Sequence, residues 1–398
     1  MLHKLFNTSD PDLKYGLSGL ATAPVGYLVL LFLPVYLEVV GIKLSLTDQQ
    51  IGWLASTDAV GLALATFIFS IFIKKVNFRQ VLLVGVVIAV AGNFLSVFTE
   101  NFLVLCLIRS ITGLGEGLIV AVGISAIGMT SNPNRWFGFY TAAIVVVQAI
   151  GLALVPIIFD RLSLSGVFIA MGLFYLIPLL VIKLLPRKSD DYKVKQGVEK
   201  TGEKQPTKQL NLALLGILFF YMSIGGVWTY MSLMGTSADL ALSYVSQALA
   251  IAMVAGLVGA LFFAFTGEFG KHTGLLFVSL LVMALSLLVL DKGLNETRYL
   301  VSLCIFSFFW SIAGARLFAI ISDVDHSGKY ISAAQTVVGV GYILGPILAS
   351  TLVEGTGYRD VVIMGTILFA LSFILVLPLA RLKIQLAVSY AESQNNQC

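Results

Sequence analysis

Twelve apolar stretches of roughly 17–25 residues follow one another along this chain, at 17–41, 49–73, 80–99, 102–125, 136–159, 166–185, 210–234, 244–266, 274–290, 299–322, 330–353 and 360–381. A helix of that length spans a hydrocarbon core about 30 Å thick. Lipid offers no hydrogen bonds to a bare backbone, so only helices or closed barrels cross it, and these runs lack the short alternation of barrel strands. Helices are therefore expected. Composition agrees: 58% of the 398 residues are hydrophobic, 12% are charged, and the mean hydropathy is +0.95. The first run continues too far past Pro24 to read as a cleaved signal peptide, and no exported soluble domain is left over.

Basic residues orient the runs. With the N-terminus cytoplasmic, 18 of the 25 Lys and Arg fall on the cytoplasmic side. Five lie on the other side (Lys43, Arg161, Lys292, Arg298 and Arg359), and Arg109 and Arg316 stay within runs. This bias places both termini inside. The net charge of +4 then reflects topology and gives no reason to expect nucleic acid as a partner. One internal segment, 186–209, is rich in Lys, Glu, Asp and Gly and reads as a cytoplasmic linker between residues 1–185 and 210–398, six runs on each side.

The halves resemble each other. A shift of 190 residues lays GFYTAAIVVVQAIGLALVPI, from Gly138, over GKYISAAQTVVGVGYILGPI, from Gly328, with eight identities in twenty positions. LSLT before the second run echoes LALS before the eighth, so Thr47 and Ser243 are expected to cap helices, Thr47 with Gln50 as a capping box. A parallel six-plus-six repeat implies two similar bundles related by an axis along the membrane normal.

Ionisable residues stand inside these runs. One near the bilayer centre costs at least about 2.5–3.5 kcal/mol on insertion scales, so it should face a wet cavity or a partner. Asp58 in the second run and Arg109 in the fourth lie at comparable depth from the same side and could pair. Arg109, Gly113 and Glu116 share one helix face, being i, i+4 and i+7. Two carboxylates around one guanidinium can take up and release a proton, with Asp58 or Glu116 as carrier and Arg109 tuning its affinity. The other reading of Asp58 and Arg109 is a static ion pair that locks two helices. For Glu116 it is a protonated carboxyl bonded to nearby backbone.

The run LIRSITGLGEGL, with Arg109-x-x-x-Gly113-x-Gly115-x-Gly117, resembles the fourth-helix motif of the major facilitator superfamily. GLALVP, with Gly151 and Pro156, and GYILGP, with Gly341, Gly345 and Pro346, resemble the Gly-Pro motif that antiporters of that superfamily carry on helix five. The loop after the second run departs from the family pattern, with Lys74 where an acid and Asn77 where a glycine belong; GEFGKH at 267–272 is equally irregular. The resemblance spans essentially the whole chain. It implies an all-α integral membrane protein, twelve transmembrane helices in two six-helix bundles, working by alternating access.

Candidate cavity residues follow from helical spacing. Tyr221, Gly225, Trp228 and Ser232 share a face of the seventh run, and the first offers Tyr27 beside the helix-interrupting Pro24 and Pro34. Gln148 and Gln335 are polar side chains in otherwise apolar runs, and the resemblance adds Trp310, because helices one, four, seven and ten line the cavity in that family. Any of these aromatics can instead pack or face lipid. Arg316 reads as snorkelling, as pairing with Asp323 or Asp325 at an inner gate, or as a substrate ligand; Glu38, near the outer end of the first run, reads as interfacial. Gly341 and Gly345 form a small-xxx-small pair suited to helix packing.

Enzyme readings find little support. His3, His272 and His326 lie outside the runs without metal-site spacing, Cys106, Cys304 and Cys398 form no CxxC, and no Walker-type loop is present. No cofactor or metal is expected, and transport should run on a gradient. The expectation is a monomeric, proton-coupled secondary transporter of a bacterial inner membrane, carrying a small organic solute. Arg109 and Arg316 favour uptake of an organic anion; efflux of amphipathic or cationic compounds, with Asp58 and Glu116 as counter-charges, is the rival. A lipid flippase and a non-transporting sensor are further alternatives.

Overall fold

The computed structural model describes residues 10–131, 133–187, 206–265, 273–290, 294–322, 324, 329–353 and 358–395. Among these the fold is all-α, with no strand. The first run is a broken helix: α1 (Pro11–Gly26), α2 (Leu28–Leu31) and α3 (Leu33–Leu44). The helices α4 (Asp48–Phe72), α5 (Phe78–Ser96) and α6 (Phe102–Gly128) carry the next three runs. Runs five and six lie on α7 (Pro133–Phe174) and a 3-10 turn (Ile177–Leu184), with α7 interrupted at Ser163, whose φ of 59° is non-helical. The remaining six runs lie on α8 (Thr207–Thr236), α9 (Leu242–Phe265), α10 (Thr273–Val289), α11 (Glu296–Ser322), α12 (Lys329–Val353) and α13 (Arg359–Asn395). Nine helical stretches among the described residues are long and apolar enough to cross a membrane; one of them, Arg135–Leu184, holds two runs, and Gly274–Val289 is a shorter apolar helix. Twelve crossings are consistent with this.

The described residues form two compact units, one drawn from Met1–Val194 and Trp228–Ile251, the other from Lys195–Val227 and Ala252–Cys398. In the first, α6 is the central helix, packed against α1, α4 and α5. Glycine makes that possible. A Cβ on Gly113 would overlap the Asp58 backbone, one on Gly117 the Leu62 carbonyl, and one on Gly61 the Ser110 carbonyl, so α4 and α6 cross with backbones in contact. A Cβ on Gly115 would lie 2.5 Å from the Gly85 carbonyl on α5. Two glycines of the motif thus face α4, and the third faces α5. In the second unit Gly341 and Gly345 of α12 lie against Met222 and Gly226 of α8 in the same way.

Local signals set the helix ends. Thr47 and Gln50 form the capping box that starts α4, at 3.2 and 3.0 Å. Ser243 does not cap α9 as LALS led us to expect: the first helical bond runs from Val245 N–H to the Ala241 carbonyl, so the helix starts earlier and Ser243 lies in its first turn. Asn77 caps α5 through its side chain, accepting from the Arg79 N–H at 3.0 Å. Arg79 in turn donates to the carbonyls of Leu185 (2.9 Å) and Lys183 (2.7 Å), satisfying the end of the 3-10 turn. The start of α1 is tied by Asp12, which accepts from the Ser131 N–H and from Trp136 Nε1. Burial alone would raise the Asp12 carboxyl, but these bonds together with the nearby Arg135 charge outweigh it and hold the group below its ordinary value.

Candidate functional site

Pro34 breaks the first run for a definable reason. It has no N–H, so the Leu30 carbonyl one turn earlier loses its helical donor. Trp228 Nε1 faces that carbonyl at 3.4 Å, and Gln148 Nε2 donates to the neighbouring Leu31 carbonyl at 2.8 Å. Both side chains, candidates for substrate contact by sequence, here satisfy backbone at the kink between α2 and α3. Tyr27 sits half-buried at the earlier junction, between α1 and α2, its N–H directed at the Pro24 carbonyl.

The kinked run brings Tyr36 to the centre of the first unit, where the charges converge. Arg109, fully buried, reaches three other helices from α6. Its Nη2 lies 2.7 Å from Asp58 Oδ1 and its Nε donates to Asp58 Oδ2 at 3.2 Å, so one edge of the guanidinium matches the carboxylate. Its Nη1 donates to Asn93 Oδ1 on α5 at 3.1 Å, and its Nη2 also reaches Glu116 Oε1 at 3.3 Å. The Tyr36 ring stands 5.7 Å from the guanidinium carbon, within cation–π range. Tyr175, just beyond α7, donates its hydroxyl to Glu116 Oε1 at 2.7 Å. The Asn93 amide is itself oriented by donating to the Ala89 carbonyl at 2.8 Å.

This cluster buries one cation and two carboxylates. With both acids ionised it carries an excess negative charge in a low-dielectric interior, which is costly; one bound proton removes it. The two acids differ. Asp58 takes a hydrogen bond from Arg109 at Oδ2 and an ion-pair contact at Oδ1, whereas Glu116 makes the longer contact and shares a single oxygen between Arg109 and Tyr175, leaving Oε2 without a hydrogen-bonding partner among the described residues.

The sequence pointed to Asp58, Arg109 and Glu116, and the structure brings all three together. It did not point to Asn93, Tyr36 or Tyr175. Asn93 had a signal, a lone amide in VVIAVAGNFLS; the tyrosines had none that separates them from packing aromatics. Glu38 requires correction: it is 3% exposed, and Ser232 Oγ donates to its Oε2, so it is buried inside the unit and not interfacial. Closeness to the end of an apolar run measures depth along the helix and says nothing of which face the neighbouring helices cover.

The remaining candidates lie elsewhere. In the second unit Tyr221 stacks at 5.6 Å on Tyr342 and edge-on at 5.1 Å on Phe220. Trp310 packs on Phe306, which packs with Phe220 on Phe369. Arg316 is 1% exposed, so it does not snorkel along the protein surface; Asp323 and Asp325 lie outside the described residues. Gln335 is exposed on α12, and Gly225 stands against the Tyr342 backbone. In the first unit Gly151 abuts the Phe32 ring; the in-helix prolines Pro156 of α7 and Pro346 of α12 are both buried.

Comparison with known proteins follows the same outline. No curated protein matches the sequence. Among solved structures, a bacterial homologue of the human lysosomal transporter Spinster, inward-facing and unoccupied, superposes with a TM-score of 0.73 at 14% identity, over 94% of this chain and 98% of that one. The nucleoside transporter NupG superposes at 0.65 with 14% identity, over 93% and 98%, and a single-residue variant of it at 0.71 with 13% identity, over 93% and 99%. At such identities these likenesses establish the fold. The Major Facilitator Superfamily model matches residues 17–324 and 213–389. With an all-α fold of apolar spans and a sequence match across nearly its whole length, this chain belongs to the Major Facilitator Superfamily.

Proposed function

We propose that the chain is a proton-coupled secondary transporter of a small organic solute, with Glu116 as the proton carrier and Asp58 as the fixed counter-ion of Arg109. The supporting observation is the buried cluster itself: two carboxylates on one guanidinium, one matched edge to edge and the other with a free oxygen. Protonation of Glu116 leaves a neutral acid beside a closed ion pair. A change in packing that admits water stabilises its ionised form and releases the proton. Alternating access of the 1–185 and 210–398 halves, with both termini cytoplasmic in a bacterial inner membrane, supplies that change. The working unit is a monomer.

The solute follows less directly. Arg109 is engaged by both acids, so uptake of an organic anion now rests on Arg316 in the second unit. Asp58 and Glu116 are engaged in turn, which weakens them as counter-charges for a cationic efflux substrate. A solute panel should therefore hold organic anions, lipophilic cations and, because a neighbour in fold transports them, nucleosides.

The test separates coupling from translocation. In proteoliposomes Glu116→Gln is expected to retain solute exchange at equal concentrations on both sides while losing uphill accumulation under a proton gradient, by at least about tenfold. Accumulation at the wild-type level in Glu116→Gln overturns the assignment.

A further inference from the structure

A third buried carboxylate lies apart from the cluster. Glu38 of α3 stands between Leu37 and Val39, both wholly buried, at the end of the first run that the basic-residue bias places away from the cytoplasm. Asp58 and Glu116 share a guanidinium; Glu38 has none. Its hydrogen bond comes from the neutral hydroxyl of Ser232 on α8, and Thr236, one turn on, is the other hydroxyl that acts on it. The charged groups on the elements around it are Lys43 on α3, Asp48 and Asp58 on α4, Arg135, Asp160 and Arg161 on α7, Lys208 on α8 and Asp239 beyond it. Among the described residues none forms an ion pair with Glu38; Tyr36, on the same helix, faces Arg109. An ionised carboxylate in such a place is uncompensated, and a bound proton is the simplest remedy.

The contact around it has a telling composition. Three side chains on one stretch of α8 hold the first run and its neighbour: Trp228 at the Leu30 carbonyl, Tyr230 donating to the Asp48 carbonyl at 2.7 Å, and Ser232 on Glu38. Two of the three acceptors are backbone carbonyls, whose charge does not change with pH. Only the third is titratable. Ionising Glu38 while α8 lies against it strands a charge in an apolar interior, so loss of its proton favours separation of α8 from α3, and its return favours closure.

We propose that Glu38 is a second proton-binding site, occupied while the Trp228–Ser232 stretch of α8 is seated on α3 and emptied when the two part. The site would load its proton from the non-cytoplasmic side and report its occupancy to the closure of that side. Its purpose rests on the proton-coupled reading above, but the contacts that carry it do not involve Arg109 or its partners.

The test reads closure directly. Spin labels at Ile42→Cys in α3 and Ala241→Cys before α9, both exposed positions, are placed in the full-length protein in lipid nanodiscs, with Cys106, Cys304 and Cys398 replaced by Ser. In this background the short-distance population is expected to give way to a longer one as pH rises from about 5 to about 9, the ratio changing by up to about tenfold per pH unit for one proton. Glu38→Gln, neutral at every pH, is expected to stay short throughout, whereas Glu116→Gln keeps the shift. Ser232→Ala is expected to lower the short population at every pH and keep its pH dependence, which gives a second reading if Glu38→Gln folds poorly. A distance that does not respond to pH, or a shift that survives Glu38→Gln, overturns the inference. Failure of the Glu116 assignment shows separately, as uphill accumulation retained in Glu116→Gln.

Discussion

Asp58 supplies the edge-to-edge partner of a fully buried guanidinium, and removing its charge leaves Arg109 with an amide and a single longer carboxylate contact. Breaking one side of a buried pair costs about 3–5 kcal/mol, whereas replacing both members together costs far less. Asp58→Asn is therefore expected to lower thermal stability in detergent by that order, and Asp58→Asn combined with Arg109→Gln to recover most of it without recovering transport. Equal losses in the single and double variants would mean that the charge pair is not what holds α4 to α6. At this scale Asp58, Arg109 and Glu116 were legible in the sequence, because an ionisable group in an apolar run must have a partner or a task. Asn93 showed only as a lone amide, and Tyr36 and Tyr175 not at all, since neutral polar side chains in such runs satisfy themselves on many local acceptors. Glu38 was misread because burial by a distant segment, residues 228–236, leaves no mark on the local pattern.

The helix α6 depends on what its glycines lack. A methyl group on Gly113 meets the Asp58 backbone, which cannot move aside without opening the crossing that sets the Asp58–Arg109 distance. Gly113→Ala is expected to destabilise the fold by about 1–3 kcal/mol or more, as overpacking does. Gly138 on α7 has open space around its Cβ direction and an exposed surface, so Gly138→Ala should stabilise by about 0.5–1 kcal/mol through backbone entropy alone. The opposite signs, measured as shifts in thermal unfolding, separate close approach from mere helix propensity; the same sign for both would refute the crossing geometry. The small-residue motif announced a close approach, but the sequence did not say that Gly113 and Gly117 meet one helix and Gly115 another. Helix ends were legible where two residues agree, as in Thr47 with Gln50. They were not where one serine stood for a cap, as at Ser243.

Across the whole molecule the repeat of 190 residues survives as two proline-bearing helices, α7 and α12, yet the two units differ in what they bury. The first holds the three-charge cluster and Glu38; the second holds the buried Arg316 and a set of aromatic contacts built on Phe220, Phe306, Phe369 and Trp310. Under the proposed coupling, this asymmetry assigns the proton to the first unit and leaves the second to shape the solute site. The span pattern and the superfamily were legible because lipid makes length and apolarity compulsory. The solute was not, because its recognition depends on which side chains converge, and the pattern that offers Trp228 and Gln148 as cavity residues does not show that they also bond the carbonyls around the Pro34 kink. The central claim, that solute movement is tied to a proton on Glu116, is tested most directly by recording proton movement in proteoliposomes as the solute panel is added to wild type and Glu116→Gln. Solute-dependent proton flux in the wild type that disappears in Glu116→Gln, with solute binding retained, is the predicted result. Solute transport without proton movement in the wild type would contradict it.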